Sequence, residues 1–348
     1  MQTLNKGEWA EVYTLLSLLA QRELIGCTEN LEIDNNFKFP IQYLAHETLD
    51  SEPLRYSITP NKTILIQSAQ GINEVSCELL ESHAHTLFEK LITKQKKTFI
   101  INELSNFLEL IHSPKLKAKN RSKRDITVAV LDNFSNKAIE HGFSIKSNLA
   151  AKPSLLNASQ ATNFIFQLDE NPHILNGLKT KKLVRKLKEL NLIPQFLKCD
   201  DLTYSYNLRL IDSQFPEILA YLLLEYYGGE RGCNQLSELV DILEQKNPLR
   251  FDCVGLYQAK IEDFLLATAL GMIPTVEWNR LYDADGGMIV IKETGELVTF
   301  YIVKQPLLVA LRNYLFKNAL MDTASTKRHD FGYLYDEHFF KLNLLIRL

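Results

Sequence analysis

Asp125 and Lys146 are the two residues whose types and spacing most directly suggest chemistry. Asp125 precedes a β-branched apolar run, Ile126–Leu131, and after a short turn-forming segment the chain returns as a second apolar strand, Gly142–Ser147. A ribbon of two such strands brings the Asp125 carboxylate and the Lys146 ammonium to one edge. A carboxylate beside a lysine suits phosphodiester hydrolysis, because the acid can hold a divalent cation while the lysine steadies the attacking water or a phosphoryl oxygen.

A cluster of basic residues stands immediately before the first of these strands. Six of the ten consecutive positions that end at Arg124 are lysine or arginine. Such runs are usually solvated segments, but this position favours contact with a DNA backbone, which would include Lys123 and Arg124. Leu178–Leu190 predicts an amphipathic helix whose basic face carries Lys182 and Arg185. This second face can follow DNA phosphates or be an ordinary soluble surface, and the sequence leaves both open.

Other titratable residues compete less well for a metal-binding role. Asp132 belongs to an Asp-Asn turn, and Glu140 would have to reach towards the site from the second strand. His83 and His85 are two residues apart, which spreads them around a helix. The five cysteines show no CxxC spacing, so we predict reduced thiols rather than a zinc site or a disulfide framework.

Composition restricts the class of protein. With 46% apolar residues among 348, the chain can bury a substantial core, which excludes global disorder. The formal net charge of −3 means that any binding of nucleic acid must be local. We find no signal peptide and no uncharged apolar run of about eighteen residues that could cross a membrane. The expectation is a cytoplasmic protein that does not associate with a membrane.

The N-terminal segment predicts an amphipathic helix over Asn5–Glu23. Asn5 is suited to cap this helix, and Glu8 stands three residues later, where a capping-box partner is expected. Glu11 lies one turn after Glu8 and has no such local role. Glu11 is therefore either an ordinary solvated helix residue or a carboxylate that serves a site formed by other parts of the chain.

Four segments of the chain resemble the HpaII-type restriction endonucleases. In chain order they are NKGEWAEVY, GFSIKSNL, PSLLNASQATNF and STKRHDFGYLY…FKLNLLIRL. The placement of Asp125 before one strand and Ser144-Ile145-Lys146 in the next also resembles the PD-(D/E)XK core of many type II restriction endonucleases. The resemblance implies a mixed α/β (α+β) fold, in which a restriction-endonuclease-like core sheet is flanked by helices and carries a helix-rich insertion.

The resemblance also implies an activity and partners. It implies a type II restriction endonuclease that uses Mg²⁺ to cut both strands of double-stranded DNA at a short palindromic site. For an HpaII-type enzyme the expected site is CCGG, cut to leave 5′ overhangs, with a cognate DNA methyltransferase in the same restriction-modification system. A palindromic site implies a homodimer, because a two-fold DNA site is matched by a two-fold protein.

Two residues depart from the family pattern. Arg124 stands where a proline is usual, and Ser144 stands where the pattern normally has an acid. Because Ser144 cannot replace a carboxylate as metal ligand, another residue must do so. In several members of the superfamily a glutamate on an N-terminal helix completes the metal site, which makes Glu11 the candidate here. The resemblance thus implies Asp125, Glu11 and the Ile145 carbonyl as metal ligands, with Ser144 and Lys146 beside them.

Two polar segments are candidate DNA contacts. On sequence alone, Ser154–Gln167 is equally a capped loop between two elements or a set of hydrogen-bonding groups for phosphates and base edges. Thr323–Asp330 reads as a charged surface turn, although an arginine there could pair with guanine in the major groove. The resemblance favours the DNA-binding alternative for both. The residues that it adds to Lys123, Arg124, Lys182 and Arg185 as DNA contacts are Ser147, Asn157, Thr162, Asn163, Lys327 and Arg328.

No linker divides the sequence, so we predict a single elaborated nuclease domain over residues 1–348. Within it we expect a catalytic core in residues 1–170, a helix-rich insertion in residues 171–270 and a strand-rich C-terminal part in residues 271–348. Two other functions stay open. The chain could be a sequence-specific DNA-binding protein whose nuclease-like core has lost its chemistry, as Ser144 allows, or a nuclease of DNA repair or RNA processing.

Overall fold

The computed structural model describes residues 3–46, 54–68, 71–94, 96–112, 122–132, 136–149, 152–170, 172–229, 233–336 and 338–348. The chain packs as two compact units. The first comprises Met1–Pro153 and Tyr282–Leu311, and the second comprises Ser154–Leu281 and Arg312–Leu348. Neither boundary coincides with the expected divisions at residues 170 and 270. That the whole chain is one elaborated domain stays a prediction.

Strands and helices alternate irregularly along the chain. The strands among the described residues are β1 (Leu4–Asn5), β2 (Glu23–Cys27), β3 (Ile33–His46), β4 (Leu54–Ile58), β5 (Thr63–Ser68), β6 (Gly71–Ser76), β7 (Thr98–Phe99), β8 (Ile126–Asp132), β9 (Lys137–Ser147), β10 (Ser154–Leu156), β11 (Asn163–Gln167), β12 (Gln195–Cys199), β13 (Gly287–Ile291), β14 (Leu297–Tyr301), β15 (Leu320–Met321), β16 (Leu334–Tyr335), β17 (Phe339–Asn343) and β18 (Ile346–Arg347). The α-helices there are α1 (Lys6–Gln21), α2 (Cys77–Thr93), α3 (Ser105–Leu110), α4 (Thr180–Glu189), α5 (Leu202–Arg209), α6 (Phe215–Gly228), α7 (Leu236–Lys246), α8 (Leu256–Leu270), α9 (Gln305–Asn318) and α10 (Thr326–His329).

A nine-stranded sheet forms the framework of the first unit. Its strand order is β2-β14-β13-β9-β8-β3-β4-β5-β6, and β2 also pairs with β3, so the six strands from β2 to β3 close into a ring. The ring closes because β3 changes partners along its length. Residues up to Pro40 pair with β2, and residues from Ile41 onward pair with β8. A proline has no N–H to donate, and it is tolerated at this change of partner.

Helix α1 supplies much of the hydrophobic core of the first unit. Leu16, Leu18 and Leu19 are 0% exposed and belong to one cluster with apolar side chains of the sheet and of α2. Burial of each such side chain contributes about 1.5–3 kcal/mol. The helix begins with the predicted capping box, in which Glu8 N–H donates to the Asn5 side chain and Asn5 N–H donates to the Glu8 carboxylate. The predicted helix and the capping role of Glu8 are confirmed.

The second unit combines helices α4 to α8 with two small sheets. The sheets have the orders β12-β11-β17-β16 and β10-β18-β15. Phe166 of β11 stacks on Phe340 of β17 with ring centroids 5.2 Å apart, and both side chains are fully buried. Helix α6 buries Ile218 and Leu222 completely. The amphipathic helix predicted over Leu178–Leu190 is confirmed as α4, Thr180–Glu189.

The sheets and helices together confirm the mixed α+β class. In the part of the chain that the structure describes, no helix combines the length and the apolar character needed to cross a membrane. All five cysteines are among the described residues, and none of them forms a disulfide.

Candidate active site

The hairpin of β8 and β9 positions the residues with the strongest chemical signal. The two strands are antiparallel and pair Ile126 with Phe143, and Asp125 N–H donates to the Phe143 carbonyl at 2.8 Å. Val128 and Phe143 are 0% exposed, so a change of register in the hairpin would have to displace buried side chains. Asp125 is therefore held opposite the segment Ser144-Ile145-Lys146, as the sequence pattern predicts.

Hydrogen bonds join Asp125, Ser144 and Lys146 into one line. Asp125 Oδ2 accepts from the Ile145 N–H at 2.6 Å and from the Ser144 hydroxyl at 3.4 Å. Lys146 Nζ donates to Ser144 Oγ at 3.1 Å. The Ser144 side chain is 1% exposed, and its hydroxyl bridges the carboxylate and the ammonium. Ser144 thus holds Lys146 beside Asp125 where an acid would otherwise have stood.

The Ile145 carbonyl points to the same side as this line of residues. In a strand, the N–H and the C=O of one residue point to the same neighbour. The Ile145 N–H donates to Asp125, so its carbonyl oxygen also faces the Asp125 side of β9. A backbone carbonyl is a neutral oxygen of the kind that can join a carboxylate in binding a cation.

Glu11 of α1 belongs to the same electrostatic environment. Its side chain is partly buried, and burial together with the negative charges of Asp125 and Glu8 raises the pKa of Glu11 to about 8, although Lys146 opposes the rise. Because Glu8 is engaged in the capping box, Glu11 is the carboxyl group of this helix that is left to face Asp125. A carboxyl group whose ionisation is opposed by burial and by a neighbouring carboxylate is typical of a cation site.

Lys123 adds a second ammonium group near Lys146. Its side chain is half-buried, and burial together with the positive charge of Lys146 lowers the pKa of Lys123 to about 8, although Asp125 opposes the change. Lys123 therefore lies close to the candidate site itself. The earlier part of the predicted basic cluster, residues 115–121, lies outside the described residues.

A loop between Asp283 and Gly287 holds the base of the hairpin, and no local signal in the sequence predicts this contact. Asp285 accepts from the Gly142 N–H at 2.7 Å and contacts His141 Nδ1 at 3.2 Å. Arg124 donates from Nε to the Asp283 carbonyl at 3.0 Å. A Cβ at Gly142 would collide with Arg124 and with that carbonyl, so only glycine fits there. The guanidinium of Arg124, a predicted DNA contact, is thus partly engaged by its own chain.

The oxygen donors fit Mg²⁺ better than they fit a transition metal. Among the described residues, no group of three or more His, Cys, Asp and Glu side chains could hold a metal ion. Mg²⁺ needs no such cage, since it is commonly held by one or two carboxylates with waters and substrate phosphates. Asp125, Glu11 and the Ile145 carbonyl meet that requirement. Of the rivals, Glu140 is engaged elsewhere, because its carboxylate accepts from the Tyr43 hydroxyl at 2.7 Å.

The remaining predicted DNA contacts of the first unit and of helix α4 differ in exposure. Ser147, at the end of β9, accepts from the Leu149 N–H at 3.4 Å. Lys182 is exposed, whereas Arg185 is half-buried and donates from Nε to the Gly229 carbonyl at 2.9 Å, beyond the end of α6. The basic face of α4 is therefore partly a packing surface.

The two polar segments of the second unit also separate into exposed and buried residues. Asn157, Lys327 and Arg328 are exposed. Thr162 and Asn163 are 0% exposed, and their hydrogen bonds are made within the protein. A direct DNA contact by these two side chains is incompatible with that burial. These small polar residue types predicted hydrogen bonding, but they did not reveal that the hydrogen bonds would be made inside the protein.

Comparison with known proteins agrees with the resemblance seen in the sequence. No solved structure matches the chain. The chain is 32% identical to the type II restriction enzyme HpaII of Haemophilus parainfluenzae over 356 residues, an alignment that covers 99% of this chain and 98% of that protein. The sequence profile of the HpaII restriction endonuclease family matches residues 5–348. The chain therefore belongs to the HpaII restriction endonuclease family, and the predicted enzyme class, a type II site-specific deoxyribonuclease, is confirmed.

Proposed function

We propose that the chain cuts double-stranded DNA in a Mg²⁺-dependent reaction at a PD-(D/E)XK-type active site in the first unit. The observation that carries this proposal is the line of hydrogen bonds from Asp125 through Ser144 to Lys146, with Glu11 coupled electrostatically to Asp125. The hairpin of β8 and β9, with the parallel neighbour β13 beside β9, supports a core of this type.

Three groups of the chain would hold the cation. They are the carboxylates of Asp125 and Glu11 and the carbonyl of Ile145. When bound, Mg²⁺ supplies positive charge at the phosphoryl group and at the departing 3′ oxygen. Because one oxygen of Asp125 is occupied by the Ile145 N–H, the carboxylate is held in one orientation with its other oxygen left for this role.

The lysines act on the nucleophile and on the phosphate. Lys146 is oriented by its hydrogen bond to Ser144 and would orient the attacking water or help to deprotonate it. Lys123 brings a second positive charge to the same place and would bind a DNA phosphate next to the scissile bond. Ser144 serves by positioning, since its hydroxyl keeps Lys146 close to Asp125.

The proposed recognition sequence and mode of cutting rest on the family relationship. We propose CCGG as the site, cut to leave 5′ overhangs by a homodimer whose two copies match the palindrome. A methyltransferase of the same system would protect the host DNA. Lys327 and Arg328 are the exposed candidates for base contacts, because an arginine can pair with both acceptors of guanine. Both compact units would serve one nuclease domain, and its cytoplasmic location stays a prediction.

A plasmid digest tests the proposal. Wild-type protein with MgCl2 should give discrete fragments, and sequencing of their ends should give one palindrome and its overhang. EDTA, Asp125→Ala and Lys146→Ala should each abolish cutting while DNA binding in a gel-shift assay persists. Shifts without cuts by wild-type protein would instead show a DNA-binding protein, and nicks or RNA cuts without a fixed pattern would show another kind of nuclease. Either variant cutting at a near wild-type rate would refute the catalytic assignment.

A further inference from the structure

Two buried asparagines of the second unit join the segments that the sequence singled out as candidate DNA contacts. Asn163, the first residue of β11, is 0% exposed, and Asn343, the last residue of β17, is 1% exposed. Asn343 Nδ2 donates to Asn163 Oδ1 at 2.7 Å. Asn163 Nδ2 in turn donates to the His329 carbonyl at 2.9 Å and, more weakly, to the Asp330 carbonyl at 3.5 Å. The asparagine pair thus reaches the turn that carries Lys327 and Arg328.

Ser159 and Thr162, from the polar segment Ser154–Gln167, also bind Asn343. Asn343 Nδ2 also donates to the Ser159 carbonyl at 2.8 Å and to Thr162 Oγ1 at 3.1 Å. Thr162 and Ser159 form a capping box, in which the Ser159 N–H donates to Thr162 Oγ1 at 3.1 Å. The two hydrogens of Asn343 Nδ2 are thus shared among three oxygens of one network, while Asn343 Oδ1 is buried without a hydrogen-bond partner among the described residues. Such a network holds its members in one arrangement, because a lost partner would leave a buried polar group unsatisfied.

The turn has few hydrogen bonds of its own. Helix α10 is a single turn, Thr326–His329, and a helix of that length does not form unaided because nucleation is unfavourable. The chain leaves it at Asp330 in a left-handed conformation, φ 54°, and the Asp330 N–H donates to the Thr326 carbonyl, whereas the carbonyls at the end of the turn have no partner within the helix. The carbonyls of His329 and Asp330, at this end, are the two that Asn163 binds. Asn163 therefore adds a side-chain cap to the end of the turn from another part of the chain.

On the basis of the proposed endonuclease function, we propose that Asn163 and Asn343 are positioning residues for DNA-site discrimination, acting through the exposed Lys327-Arg328 turn. A base-reading side chain must reach its partner atoms with an accuracy of about 0.5 Å, and this accuracy depends on the residues that support it. Without the Asn163 amide, the turn keeps its charges, so affinity for DNA in general persists. What it loses is the fixed position from which Arg328 can select guanine.

The test measures discrimination as a ratio. Wild-type protein and Asn163→Ala cut a duplex with the site found in the plasmid digest and duplexes with one base pair of that site changed. The ratio of kcat/KM values does not depend on the fraction of active protein, so loss of folded protein alone leaves it unchanged. We expect Asn163→Ala to lower the ratio about tenfold, the discrimination commonly carried by one base pair. Asn343→Ala should lower it in the same direction.

Asn207 offers a matched control. It is also 0% exposed in the second unit, and its Nδ2 donates to the carbonyls of Ile273 and Val276, so Asn207→Ala removes an equivalent anchor from a different loop. This control should keep the wild-type ratio. Limited trypsin digestion gives a second readout, since trypsin cuts after Lys327 and Arg328. Cutting there should be faster in Asn163→Ala than in the control.

The outcomes separate this inference from the proposed function. Wild-type protein that does not cut DNA refutes the proposed function and this inference with it. If wild-type protein cuts, a ratio that stays within twofold in Asn163→Ala refutes the inference alone, as does an equal fall in Asn207→Ala. If Asn163→Ala does not fold, Asn343→Ala decides by the same two measurements.

Discussion

Replacing Glu11 by glutamine should make the free protein more stable in alkaline solution while removing its response to Mg²⁺. The substitution keeps the size of the side chain and removes only its ionisation. In the folded protein, burial and the charges of Asp125 and Glu8 raise the pKa of Glu11 from 4.5 to about 8. Ionising Glu11 in the absence of a cation is therefore costly, and the glutamine avoids that cost.

The sign and size of the effect follow from proton linkage. Between pH 4.5 and about 8 the folded protein holds a proton on Glu11 that the unfolded chain has lost, so the free energy of unfolding falls as the pH rises through this window. Each tenfold change in the acid dissociation constant corresponds to about 1.4 kcal/mol, which sets an upper limit of about 5 kcal/mol at pH 8. Glu11→Gln should match wild-type protein near pH 4.5 and exceed its stability increasingly towards pH 8.

Urea denaturation in EDTA at several pH values between 5 and 8.5 measures this difference. Glu81→Gln, which changes an exposed glutamate of α2, is the control and should follow the wild-type curve. Adding MgCl2 at pH 8 should stabilise wild-type protein and the control but not Glu11→Gln, because only a protein that binds the cation gains stability from it. Parallel pH curves for wild-type protein and Glu11→Gln would refute the assignment of a buried, ionisation-resistant carboxyl to this helix.

Three further substitutions test other parts of the structure. Lys182→Gln removes an exposed charge, so it should weaken binding to all DNA sequences and reduce the slope of log affinity against log salt by about one; an unchanged slope would make that face of α4 ordinary surface. Arg185→Gln loses the hydrogen bond to the Gly229 carbonyl, so it should also lower the free energy of unfolding by about 1 kcal/mol, and an unaltered urea midpoint would contradict that packing role. Asp285→Ala removes the acceptor of the Gly142 N–H in β9 and the partner of His141. The substitution should destabilise the protein by about 1 kcal/mol and slow single-turnover cleavage. Normal cleavage by a destabilised Asp285→Ala protein would show that the loop only stabilises the fold.

Local signals in the sequence predicted those parts of the site that lie close together along the chain. The β-branched run after Asp125, the turn-forming residues and the return strand through Lys146 predicted the hairpin. Such strand and turn preferences depend on residues only a few positions apart. The cap of α1 was predicted for the same reason, and it left Glu11 without a local partner. The resemblance to a known family then added the enzyme class, which the comparisons confirm.

Local signals did not reveal strand β3 or the loop that supports the hairpin. Strand β3 contains Pro40 and two asparagines, which lower β propensity, and it is stable because it has a different partner strand on each side of that proline. The loop of Asp285 is distant from His141 along the sequence but adjacent to it in the first unit. Its Asp and Gly residues read equally well as an ordinary surface turn.

The sequence by itself determined the hairpin, the capped first helix and the chemical types available to the site. Only the tertiary structure decided that Glu11 shares the environment of Asp125 and Lys146, and that Asn163 faces inward to support a turn instead of outward to DNA. The physical reason is the range of the forces involved. Periodicity, capping and turn preferences act between neighbours in the chain, whereas burial and the fields of charges depend on which distant segments the core brings into contact.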